Sequence, residues 1–187
     1  MAKDYSEDLL IQKSTAELLE KELGWKSVYA FDNEVMGETG TLGRKTQSEV
    51  VLTRHLRLAL KRLNQWMTDK QLTEAIERMI SYMSSQTLMQ INEEKYQYLR
   101  DGVPVTRLKP NGETEQVRAR VIDFVNVDNN EFIAVRELWI KGPIHKRRAD
   151  VVCFVNGLPL IFIELKNHDQ DIQNAYTDNY RDYLDTI

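Results

Sequence analysis
The chain is short of cysteine, of surplus positive charge and of long apolar runs, and each shortage removes a class of function. A single cysteine among 187 residues, Cys153, leaves no partner for a disulfide and no thiolate cluster for a metal. It lies within an apolar stretch, which points to core packing. With 25 Lys and Arg against 29 Asp and Glu the net charge is −4, which argues against a free-standing nucleic-acid binder held by a long basic surface. Any such contact must be local or shared with partners. No apolar run nears the roughly 20 residues that cross a bilayer. The opening Met-Ala-Lys-Asp-Tyr-Ser-Glu-Asp lacks the basic and apolar regions of a signal peptide, so a cytoplasmic protein without membrane contact is expected. His55 and His145 show no metal-ligand spacing.

What is present reads as one domain over 1–187, with 42% hydrophobic and 29% charged residues. Residues 6–23 carry Leu9, Leu10, Ala16, Leu19 and Leu23 near helical spacing, with Gly24 as a stop. Residues 25–34 are strand-like, and 49–63 and 73–88 predict packed helices. Beyond Gly102 and Pro104 the texture becomes extended. Strands are expected at 103–108, 117–127, 132–140, 150–155 and 160–165, with turns at Asn111-Gly112, 128–130 and Asn156-Gly157. Residues 169–183 return to helix, and Trp66 and Trp139 are assigned to the core. The class is α/β (α+β-like), helix-rich over 1–100 and strand-rich over 101–187, with no repeats. Gly37-Glu-Thr-Gly-Thr-Leu-Gly43-Arg44-Lys45-Thr46 resembles a phosphate-cradling loop, yet Arg44 and Thr39 stand where the pattern needs glycine. ATP binding there is rejected.

The chemistry concentrates in the segment from Asp150 to Lys166, where two almost wholly apolar strands meet at Asn156-Gly157 and carry charges at their far ends. Alternation puts Glu164 and Lys166 on one face, with Leu165 pointing away and its carbonyl near the same edge. Asp150 joins them if it pairs with Glu164, Val152 with Phe162 and Phe154 with Leu160, which implies a three-residue connection, Asn156-Gly157-Leu158. A strict two-residue turn instead pairs Asp150 with Ile163 and separates the carboxylates, unless a bulge intervenes. If they converge, two carboxylates and a carbonyl form an all-oxygen site suited to Mg²⁺. The metal would activate water and offset phosphorane-like charge, with the Lys166 ammonium orienting the nucleophile. The plainer reading is a strand-end ion pair between Glu164 and Lys166, worth about 0 to 1 kcal/mol.

The string from Arg147-Arg148-Ala149-Asp150 to Glu164-Leu165-Lys166-Asn167 resembles the PD-(D/E)xK nuclease superfamily, and within it the N-terminal nuclease domain of type I restriction enzyme R subunits. Leu23-Gly24-Trp25, Leu42-Gly43-Arg44 and the run from Tyr176 to Ile187 extend the resemblance over nearly the whole chain. It implies a central mixed sheet flanked by helices, and a Mg²⁺-dependent endonuclease acting on double-stranded DNA beside specificity and methylation subunits. It also implies a longer polypeptide whose ATP-driven motor lies beyond residue 187. By the family pattern Asp150 and Glu164 are metal ligands, with the Leu165 carbonyl, and Lys166 is the catalytic lysine. Ala149 replaces the motif's proline, which offers no ligand. Asn179 and Tyr183 occupy the family's Gln-x-x-x-Tyr positions, and Arg147 and Arg148 are candidate DNA contacts. The acidic position of the first helix aligns with Gln12, near Glu7 and Glu17, and its role stays open. Two other readings stand beside this one: a non-catalytic docking domain of a DNA translocase complex, and a related repair or recombination nuclease.

Overall fold
The computed structural model describes residues 12–109 and 111–165, together with positions 173, 176 and 181. The chain forms two compact units, one from Met1–Leu52 with Phe132–Ile187 and one from Thr53–Glu131. The described parts of both contain helix and strand, so the protein is a mixed α/β fold.

In the first unit, helix α1 (Lys13–Leu23) leads to strand β1 (Lys26–Tyr29). Gly24 adopts φ 68° and, with Trp25, returns N–H groups to the Glu20 and Leu19 carbonyls, a glycine-terminated helix end that the sequence signals. Strand β1 runs parallel to β4 (Phe132–Lys141), which pairs antiparallel with β5 (Lys146–Val155), which pairs antiparallel with β6 (Leu158–Ile163). (The strands of the second unit are β2 and β3, below.) The result is a mixed four-stranded sheet in the order β1-β4-β5-β6. One of its faces buries Ile133, Val135, Leu138, Ile140, Ala149, Val152 and Phe154 against Ala30, Leu42 and Leu52. The other buries Ala134, Val151 and Cys153 under Leu19 and Trp25. Cys153 packs as expected at 1% exposure, and burial pushes its thiol up to about 11. Arg44, the residue that breaks the phosphate-loop pattern, turns inward and is fully buried. It forks onto Glu34 (2.8 and 2.5 Å) and donates to the carbonyls of Glu49 and Trp139.

The second unit contains α2 (Thr53–Leu63), α3 (Asp69–Ile80), α4 (Leu88–Asp101) and the hairpin β2 (Val103–Leu108) with β3 (Thr114–Ala119). The helix expected over 73–88 is corrected: capping boxes at Thr68/Gln71 and Thr87/Gln90 start two separate helices, and Ser81 is extended. Each box satisfies two otherwise orphaned N–H groups, and the Thr-x-x-Gln spacing is visible in the sequence. The helix expected over 49–63 begins only at Thr53, and the preceding Leu52 donates its N–H to the Gly157 carbonyl. The strand expected over 117–127 ends at Ala119. There Asp123 accepts from the N–H groups of Val125 and Asn126 and from the Asn129 amide, a local alternative to ladder bonding. These bonds, the Asn129 side chain first, hold its carboxyl down at about 2. Trp66 is 39% exposed beneath the Arg107 guanidinium and Trp139 is half-buried, so neither is a core residue as assigned.

Candidate active site
Asn156 (φ 52°) and Gly157 (φ 81°) make a two-residue turn, with Val155 paired to Leu158 and Phe154 to Pro159. The three-residue connection is therefore corrected. Leu160 is then an extra residue on β6, and beyond it Cys153 pairs with Ile161, Val152 with Phe162 and Val151 with Ile163. The bulge restores the register that a tight turn alone would lose. The paired ladder ends at Val151 with Ile163, one residue short of Asp150 and Glu164.

A second irregularity acts on β4 and β5 together. Their ladder is paired on both sides of Glu137 and Asp150 but not at that position. On β4, Ile133 and Val135 face the larger core, yet so do Leu138 and Ile140; on β5, Val152 and Phe154 face it, yet so does Ala149. Alternation thus slips by one residue on both strands at this point. The slip sets Asp150 on the α1 side, with Val151, instead of among Val152 and Phe154.

The Asp150 carboxylate joins two distant elements. Its Oδ1 accepts from Gln12 Nε2 at 3.0 Å, and its Oδ2 accepts from the Leu165 N–H at 2.8 Å. Gln12, just before α1, is 2% exposed, and its Oε1 is a buried atom with no hydrogen-bond partner among the described residues. An amide oxygen buried beside a carboxylate calls for a donor or a cation. The oxygens of Asp150, Glu164 and Gln12 are hard donors of the kind Mg²⁺ takes, usually with only one or two carboxylates and several waters. Among the described residues no group of three His, Cys, Asp or Glu side chains forms a metal cage, which a two-carboxylate site does not require.

Arg148 lies on the Asp150 side, but its guanidinium is held by buried Glu137 at 2.5 Å and lies over Phe31 and Trp139. Lys146 sits 4.0 Å above the Trp139 ring, and Arg136 covers Tyr29. These cations and rings extend the Asp150 side of the sheet into a strip of alternating charge and aromatic surface. Arg147 pairs with Ile140 and shares the opposite, core-side face. Lys166, Asn179 and Tyr183 lie outside the described residues. Sequence reasoning passed over Glu137. Its signal was the consecutive polar pair Arg136-Glu137 inside an otherwise apolar strand.

A family model described as Type I restriction enzyme R protein N terminus matches residues 4–187. The chain is 32% identical over 181 residues to the Type I restriction enzyme HindI endonuclease subunit of Haemophilus influenzae, an alignment covering 95% of this chain and 17% of that protein. It is 24% identical over 159 residues to the Type I restriction enzyme SauMSSORF170P endonuclease subunit of Staphylococcus aureus, covering 82% of this chain and 16% of that protein. The chain thus corresponds to a small part of the length of either relative.

Proposed function
The chain belongs to the type I restriction enzyme R protein N-terminal family, and we propose that it is the domain that hydrolyses DNA phosphodiesters. The observation that carries this reading is the Asp150 carboxylate, turned out of the larger apolar core and held between the Gln12 amide and the main chain of Leu165, the residue after Glu164. Asp150, Glu164 and the Leu165 carbonyl would hold Mg²⁺, and Lys166 would orient the attacking water. When bound, the ion supplies Lewis acidity toward the phosphate and its water. The Leu165 N–H and the Gln12 amide fix the Asp150 rotamer, so the carboxylate loses little orientational freedom when it engages a cation. Arg147, Asn179 and Tyr183 are the DNA contacts, while the Arg148 guanidinium is engaged by Glu137. The substrate is double-stranded DNA, cleaved within a complex containing specificity and methylation subunits. ATP serves a motor region outside this chain.

The test uses the full-length subunit assembled with its partners. Lys166→Ala is expected to abolish cleavage while leaving DNA binding and ATP turnover nearly intact. Retained cleavage would overturn the assignment, and loss of all three activities would indicate misfolding. The docking reading predicts no carboxylate-dependent metal binding. Calorimetric titration of Mn²⁺ into wild type and Asp150→Asn separates the two, since only the nuclease reading expects binding that disappears with the carboxylate.

A further inference from the structure
We infer that Glu137 and Arg148 form the device that presents Asp150, an inference that rests on the nuclease reading above. The starting observation is a backbone one. Glu137 and Asn156 are the described non-glycine residues with positive φ, and Asn156 is accounted for by its turn. Glu137, at φ 57°, lies in the middle of a ten-residue strand, where an L residue pays a steric penalty.

Its position explains what the penalty accomplishes. Glu137 is the residue across the ladder from Asp150, and both strands slip by one at this pair. With regular alternation, Asp150 would share the side of Val152 and Phe154 and place a carboxylate in the larger apolar core. The left-handed residue on β4 allows the paired slip that turns Asp150 toward Gln12 and Leu165.

The kink needs an anchor, and Arg148 provides it. The Glu137 carboxylate is almost wholly buried, a state that is costly without charged or hydrogen-bonding partners. Arg148 Nε donates to it at 2.5 Å, and the guanidinium is itself fixed over the faces of Phe31 and Trp139. Arg148 is two residues from Asp150 on the same strand, so the ion pair ties β4 to β5 beside the slip. Glu137 and Arg148 are positioning residues that act through Asp150.

The experiment measures Mn²⁺ binding by calorimetry in the full chain, with far-UV circular dichroism to follow folding. Asp150-dependent binding by wild type establishes the underlying reading, and its absence removes that reading and this inference together. Given such binding, Arg148→Met is expected to weaken Mn²⁺ affinity by about tenfold or more, the range seen when groups that orient a metal ligand are lost. The buried Glu137 carboxylate then loses its guanidinium, and the strand relaxes away from the slipped register. The double variant Glu137→Gly with Arg148→Met removes the stranded charge and makes positive φ cost-free. It is therefore expected to recover most of the affinity, a rescue that a purely stabilising ion pair or a simple phosphate contact does not predict. Unchanged affinity in Arg148→Met overturns the inference, as does a double variant that folds yet binds no better than the single one.

Discussion

Replacing Arg44 by methionine tests the most heavily buried ion pair among the described residues of the first unit. The guanidinium has no exposed surface and Glu34 has 5%, so the substitution leaves a carboxylate in a site from which water is excluded. It also strips donors from the carbonyls of Glu49 and Trp139. Removing one partner of a buried pair costs about 3–5 kcal/mol, mostly the cost of the stranded charge. For a chain of this length each kcal/mol lowers Tm by about 2–4 °C, so a drop of about 6–20 °C is expected. Urea denaturation followed by the fluorescence of Trp25 and Trp139, both in that unit, supplies the free energy. The double substitution of Arg44 and Glu34 by methionine removes both charges and is expected to recover much of the loss, because an apolar replacement of a whole pair is often near neutral. The two carbonyls left without a donor keep it below wild type. A single variant within about 1 kcal/mol of wild type would refute the reasoning, since Glu34 would then be finding solvation or another donor on its own.

Two further outcomes follow from local geometry. The Asp123 carboxyl is held at about 2, below its ordinary 3.8, so its contribution to the Thr53–Glu131 unit is present above pH 3.8 and is lost as pH falls through about 2. Thermal melts of wild type and Asp123→Asn at pH 5, 3 and 2 are expected to show a stability gap that narrows with acidity, and a gap independent of pH would exclude this carboxylate as the cause. Gly157→Ala forces a side chain into φ 81° and is expected to cost about 1–2 kcal/mol in urea unfolding, whereas a neutral result would mean that the turn readily adopts another conformation.

Much of the local structure was legible because its causes are local. Leucine spacing and Gly24 located α1 and its end, while Asn156-Gly157 between two apolar runs located the β5-β6 hairpin. The break between α3 and α4 was equally readable in the two Thr-x-x-Gln boxes and was missed because apolar periodicity runs across it. Asp123 was less legible: a strand-forming stretch was interrupted by a side chain that bonds its own neighbours.

By itself the sequence determined which side chains are at hand: an aspartate and a glutamate at the ends of adjoining apolar strands, with a tight turn between those strands. Only the tertiary structure decided where Asp150 points. That outcome depends on an unannounced bulge at Leu160, on positive φ at a non-glycine residue, and on a guanidinium that stabilises that residue's buried charge. Side-chain direction in a strand reverses with a shift of one residue, and the groups that select the shift come from other elements. Gln12, which completes the hold on Asp150, lies 138 residues away along the chain, a separation at which pattern carries no information and only folding brings the partners together.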